Sequence, residues 1–198
     1  MGFRISYICA DLPVLDLVKG MGLVLSGKAN EMPSGDDFWA ARLKSDTSLL
    51  WCEDELYGFD RQRLLLALSM RTRVVNCIIN ETVMASTAQC FEGGELVWQL
   101  HWQGDEELTR EQLTIEGTPP AILEQILKEN AEDQAEFEEE EDFEDCFEVP
   151  VTLAERLTGF RYDASLERDA VDEFLILLPS SGTPRKAELF SRLFGRPQ

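Results

Sequence analysis

Short runs of apolar residues separated by polar turns mark the first part of the chain, and each run predicts a β-strand. "FRISYICA" and "MGLVLSGKA" are rich in aliphatic and β-branched residues, as is "TSLLWCED" further along. In "RVVNCIINE", Val75, Cys77 and Ile79 alternate against Asn76 and Asn80, which is the period of a strand with one covered face. These segments predict the first strands of a sheet.

Two segments between these strands have the pattern of helices. "DLPVLDLVKG" begins with Asp11, a capping residue, and ends at Gly20. "FDRQRLLLALSM", residues 59–70, places Asp60 at a cap position before a run of strong helix formers with one wide apolar face. The order βαββαβ predicts an α+β fold, with a ferredoxin-like antiparallel sheet and helices mainly on one face.

A β-hairpin is expected to extend this sheet. Gly93 and Gly94 separate "TVMASTAQCFE" from "ELVWQLHWQ", and paired glycines accept the positive φ angles of a two-residue turn. Pairing outward from the turn places Trp98 and Trp102 on a buried face. The expected partners are Phe91 with Leu96, Gln89 with Trp98, Thr87 with Leu100, and Ala85 with Trp102. "EQLTIEG" predicts one more strand, and "DEFLILLP" fits a strand or a helix.

The pattern predicts a single domain over residues 1–198, interrupted by a mobile acidic connector at about 131–146. Pro119 and Pro120 open a helix whose apolar positions end at Leu127. Glutamates then repel one another along "EFEEEEDFEDCFEVP". We expect Phe147 to anchor the returning chain on the core. "TPRKAELFSRLFG" predicts a basic amphipathic helix at the end of the chain.

Charge is the strongest compositional signal. The formal net charge is −20, and thirteen Asp and Glu between Glu124 and Glu148 face one Lys, a local balance of −12. This negative charge repels nucleic acids and anionic membranes, and it attracts a basic protein partner. If the acidic run is a partner surface rather than a connector, its residues are Glu138, Glu139, Glu140, Glu141, Asp142, Phe143, Glu144 and Asp145.

Few residues suggest catalytic chemistry. His101 is the single histidine, and although the expected pairing places Ser86 beside it, no nucleophile elbow is present. The five cysteines lack metal-ligand or redox spacing, and the acidic run lacks the central glycine of a calcium loop. We therefore predict no catalytic residue, no metal site and no cofactor. The cysteines fit reduced thiols in a cytoplasmic protein, and no apolar run has membrane-spanning length.

Two segments, "ETVMASTAQCFEGGELVWQLHW" and "PVTLAERLTGFRYD", carry a resemblance to other proteins. In them the chain resembles a group of uncharacterised bacterial proteins with a Met-containing strand, a Gly turn, a Trp-containing strand and a later Leu-Thr-Gly-Phe segment. The resemblance implies a bacterial cytosolic protein and brings no activity, cofactor or functional residue with it.

These observations favour a non-enzymatic acidic binding protein that engages a basic protein, as small acidic immunity proteins engage cationic toxins. The alternative is a small cytosolic enzyme that uses carboxylates on an unknown substrate. A structural or regulatory role is also open.

Overall fold

The computed structural model describes residues 2–33, 38–104, 113–137, 146–164 and 171–180. Nine strands and five helices are formed within these ranges. In chain order they are β1 (Arg4–Ala10), α1 (Val14–Gly20), β2 (Leu23–Ala29), β3 (Phe38–Leu43), β4 (Ser48–Cys52), α2 (Tyr57–Asp60), α3 (Gln62–Ser69), β5 (Val74–Asn80), β6 (Ala85–Glu92), β7 (Glu95–Gln103), β8 (Thr114–Gly117), α4 (Ile122–Phe137), α5 (Glu148–Thr158) and β9 (Val171–Pro179).

The nine strands form one antiparallel sheet in the order β2-β9-β3-β4-β1-β5-β6-β7-β8. The α+β class and the antiparallel sheet are therefore confirmed. The ferredoxin-like order is not confirmed, because β3 and β9 separate β2 from β4 and the sheet is larger than expected. The "DEFLILLP" segment is the strand β9, and "EQLTIEG" supplies β8.

Helices cover both faces of the sheet, which corrects the expectation that they lie mainly on one. On one face Leu17 of α1 and Leu65 of α3 pack with Ile8 of β1. On the opposite face Ile126 of α4 and Leu153 of α5 belong to a second core. We refer to these faces as the α1–α3 side and the α4–α5 side.

Strands β5, β6 and β7 form the expected antiparallel meander over residues 74–103. Gly93 and Gly94 have φ angles of 61° and 84°, as the turn requires. Trp98 and Trp102 are buried on the α4–α5 side. The meander and the burial of both tryptophans are confirmed.

The register of the hairpin differs from the expected one beyond its first pair. Phe91 does pair with Leu96, but a β-bulge follows. Because the extra residue shifts β7 by one position, every later pairing changes. Trp98 pairs with Cys90, Leu100 with Ala88 and Trp102 with Ser86, so Gln89, Thr87 and Ala85 are not their partners. Leu96 packs on the α1–α3 side, away from the tryptophans.

The two aspartates expected to cap helices do not do so. Helix α1 begins after Pro13, without a side-chain hydrogen bond at its first turn. Asp11 instead accepts a hydrogen bond from the Thr47 hydroxyl at 3.4 Å. Asp60 is the last residue of α2, and Arg61 occupies the N-cap position of α3.

The chain returns to the core at Phe147, as expected. Helix α4 continues past Leu127 to Phe137, so it includes the first part of the segment expected to be a connector. Residues 138–145 lie outside the described ranges. Phe147 is buried against Trp102, with ring centroids 6.2 Å apart, and its carbonyl accepts a hydrogen bond from Ser86 Oγ at 2.7 Å.

Gly58 is expected to be essential for the packing of α2 on β5. A methyl group added at Gly58 would lie 2.2 Å from Asn76 Oδ1, which is buried. Although Ala is the better helix former, we expect Gly58→Ala to lower the free energy of unfolding by about 1–3 kcal/mol, because buried overpacking costs more than the propensity gain. Denaturant titration measures the change.

Gly27→Ala is the matched control. A methyl group there would meet nothing nearer than Ile176 Cδ1 at 3.8 Å, so we expect little steric cost. Equal stability of the Gly58→Ala and wild-type proteins would contradict the close packing of α2 on Asn76.

Candidate functional site

The eight residues proposed as a partner surface lie outside the described residues. They are Glu138, Glu139, Glu140, Glu141, Asp142, Phe143, Glu144 and Asp145. Their neighbours on both sides are described, since α4 leads to them and α5 begins just after them. The acidic surface whose contacts the structure describes is therefore the one formed by α4, α5 and the turn that follows α5.

Three carboxylates surround one arginine at this surface. Arg161 contacts Glu148 Oε2 at 2.5 Å, Asp163 Oδ1 at 2.7 Å and Glu155 Oε2 at 3.4 Å. The three acids and Arg161, which we call the Arg161 cluster, carry a formal charge of −2. About two fifths of each acidic side chain remains exposed, and 22% of the arginine side chain.

Local structure explains why these groups meet. Glu148 and Glu155 lie two turns apart on α5, so they share a face of the helix. Gly159 ends the helix with a φ of 74°, a conformation that reverses the chain at low cost for glycine. Arg161 is thereby turned back along α5. Spacing of seven between two glutamates before a helix-ending glycine is the sequence signal that could have indicated this cluster.

The cluster fixes the protonation of Arg161. Burial opposes the charged guanidinium, but hydrogen bonds and charge attraction from Glu148 and Asp163 outweigh it and raise the pKa of Arg161 above its already high ordinary value. The guanidinium therefore stays charged and holds the carboxylates in place. The fold therefore sets the positions of the charged groups in the Arg161 cluster.

Excess acid extends along α4 and α5. Residues 122–137 and 146–164 contain eight Asp and Glu but only three basic residues, a balance of −5. Each of these bases already contacts a carboxylate: Arg156 contacts Glu129 across the two helices, Lys128 contacts Glu132, and Arg161 lies in its cluster. The described part of the α4–α5 side is acidic, with its own cations engaged.

A second polar feature lies on the α1–α3 side of the sheet. Asn76 Nδ2 donates to Gln89 Oε1 at 2.9 Å, and Gln89 Nε2 donates to Gln99 Oε1 at 2.5 Å. Next to this chain, Thr87 Oγ1 lies 2.8 Å from His101 Nδ1. We call these five side chains the polar strip. Sequence analysis noted Asn76 as a polar strand position but did not connect it to the glutamines, because the expected register was wrong by one.

Ser86 and His101 do not form a nucleophile and base. Ser86 points to the α4–α5 side, where it binds the Phe147 carbonyl, whereas His101 contacts Thr87 on the α1–α3 side. The bulge in β7 places them on opposite faces of the sheet. Burial lowers the pKa of His101, so its imidazole is neutral at pH 7.

The five cysteines are all buried thiols. Burial raises the pKa of Cys90 to about 11 and that of Cys77 to about 12, and it also raises the pKa values of Cys9 and Cys52. Across the described ranges no group of His, Cys, Asp and Glu is arranged to hold a metal ion. Among the same residues no helix has the length and apolar character to cross a membrane.

Comparison with known proteins identifies no relative. The chain matches no protein family, no curated protein and no solved structure. Function must therefore be argued from the two surfaces just described.

Arg161→Gln is expected to destabilise the α5 region. The substitution removes the charge that holds three carboxylates together and leaves them to repel one another. We expect a loss of about 1–3 kcal/mol in the free energy of unfolding, discounted for the partial exposure of the acids. High salt should recover part of the loss, because it screens the repulsion.

Arg156→Gln removes a single, more exposed ion pair and serves as the control. Its expected cost is below about 1 kcal/mol, the usual value of an exposed pair. If the two variants lose equal stability, the Arg161 cluster has no special structural role.

Thiol reactivity provides a further test. Because thiolates react and thiols do not, raised pKa values together with burial predict that Ellman's reagent labels the folded protein very slowly at pH 8. In concentrated guanidinium chloride all five cysteines should react at once. Rapid labelling of any cysteine in the folded protein would contradict this prediction.

Proposed function

We propose that the protein is a non-enzymatic cytoplasmic binding protein whose acidic α4–α5 side engages a basic protein partner. The observation that carries this proposal is the concentration of charge: −12 of the formal −20 lies between Glu124 and Glu148. A field of this kind accelerates association with cationic proteins and repels nucleic acids. The mode resembles that of small acidic immunity proteins.

The acidic run in the sequence and the Arg161 cluster in the structure have different roles in the proposal. The run from Glu138 to Asp145 supplies unbalanced charge that attracts a basic partner at long range. The Arg161 cluster supplies carboxylates whose positions are fixed by Arg161, so they lose little freedom when a partner binds. Attraction and fixed contacts together favour specific binding.

Catalysis by carboxylates is the alternative, and the contacts give it less support. A general acid or base must reach a substrate proton with a free carboxyl oxygen. In the Arg161 cluster each acid is turned toward the guanidinium. His101 and Ser86 lie on opposite faces of the sheet. Binding therefore accounts for the arrangement better than acid–base chemistry does.

Charge-neutralising variants test the proposal. We expect changing Glu138, Glu139, Glu140 and Glu141 to Gln to weaken binding of a cationic protein by about tenfold or more, and to reduce the dependence of affinity on salt. Calorimetry with several small cationic proteins, at low and at physiological salt, measures both effects.

The control variant changes Glu31, Glu53, Glu92 and Glu95 to Gln. These four acids are exposed and lie outside α4 and α5. Because each variant neutralises four acids of a chain with a net charge of −20, both have the same net charge of −16. Equal loss of affinity in the two variants would show diffuse attraction and contradict a partner surface that includes the acidic run. Absence of binding to every cationic protein would contradict the proposal as a whole.

A further inference from the structure

One row of side chains crosses the sheet on the α1–α3 side and changes from apolar to polar midway. Direct cross-strand pairing defines the row, whose members from β4 to β8 are Leu50, Ile8, Asn76, Gln89, Gln99 and Glu116. Leu50 and Ile8 are buried in the core under the helices. From β5 outward the row is polar.

Packing alone does not account for this change. Asn76 and Gln89 are 0% and 3% exposed, so their amides have left water almost completely. Within the described structure Asn76 Oδ1 has no hydrogen-bond partner, and a buried polar group without a partner destabilises the fold. Apolar residues at both positions would extend the core of the row without that cost.

The hydrogen bonds of the row all point in one direction. Each amide nitrogen donates to the next amide oxygen, from Asn76 through Gln89 to Gln99. Chains of this kind polarise their last member and fix its orientation. The oxygen of Gln99 is occupied, so its half-buried nitrogen is the free end of the chain, with no acceptor among the described residues.

His101 presents a second nitrogen on the same face. It lies two residues along β7 from Gln99, roughly 7 Å away at the usual rise of a strand. Its Nδ1 is held by Thr87, which leaves Nε2 for a ligand as donor or acceptor according to the tautomer. On β8, Glu116 pairs with Gln99 and Thr114 pairs with His101, and both are exposed.

We propose that Gln99, His101 and the adjoining part of the polar strip form a binding site for a neutral, polyhydroxylated ligand, a saccharide. Sugar hydroxyls are donors and acceptors at once, which matches the amide, imidazole, hydroxyl and carboxylate groups of this face. An anionic ligand is repelled by Glu116 and the net charge, and a cation finds a single carboxylate beside the amide donor of Gln99. The site is independent of the acidic α4–α5 side.

NMR titration of the full chain tests the site. The probes are glucose, galactose, N-acetylglucosamine and their neutral disaccharides, with glucuronate, glucosamine and glycerol as charge and polyol controls. We expect saturable shifts of the Gln99 side-chain amide and the His101 ring nitrogens with at least one neutral sugar. Weaker effects are expected from glucuronate and glucosamine, and none from glycerol.

Gln99→Glu keeps the shape and the acceptor oxygen of the side chain but removes its donor. We expect at least tenfold weaker sugar binding in this variant, while Gln125→Glu, which adds the same charge on α4, should bind like the wild type. Circular dichroism checks folding, and His101→Phe gives a second, uncharged test with the same expected loss.

Several results would overturn the proposal. They are the absence of shifts at Gln99 and His101 with every neutral sugar up to tens of millimolar, equal shifts with glycerol, or tighter binding of glucuronate or glucosamine. Wild-type affinity in a folded Gln99→Glu or His101→Phe protein would also refute it.

Discussion

Burial of one sheet on both of its faces is the constraint on which the rest of the structure depends. Strand β1 shows it most clearly, because six of its seven residues are buried. Tyr7 and Cys9 belong to the core on the α4–α5 side, and Ile8 and Ala10 to the core on the α1–α3 side. Since neither face can be left to water, the chain must place helices before and after the meander.

Polar side chains are concentrated where the helices stop covering the sheet. The row through Leu50 and Ile8 is apolar under the helices and becomes polar at Asn76. Gly58 of α2 contacts Asn76 at this boundary, so the helix edge and the start of the amide chain coincide. On the opposite face, the turn after α5 brings Arg161 back to the helix surface. Both candidate surfaces therefore arise at the margins of the two cores.

The two surfaces differ in their electrostatics. The α4–α5 side carries unbalanced carboxylates, a long-range field that salt weakens. The polar strip uses neutral amides and a neutral imidazole, whose hydrogen bonds act only at contact and gain strength from burial. A single chain can thus present one surface suited to attracting a charged protein and another suited to a neutral ligand.

The sequence by itself determined the features that depend on neighbouring residues. Gly93 and Gly94 specify the hairpin turn, alternation specifies the strand character of β5, and Phe147 marks the return of the chain to the core. Tertiary structure alone decided the rest. Strand β9 enters the sheet between β2 and β3, which lie far earlier in the chain, and no local pattern encodes that pairing. The bulge in β7 is likewise not encoded by any local pattern, and its one-residue shift separated Ser86 from His101 and brought Gln89 to Gln99.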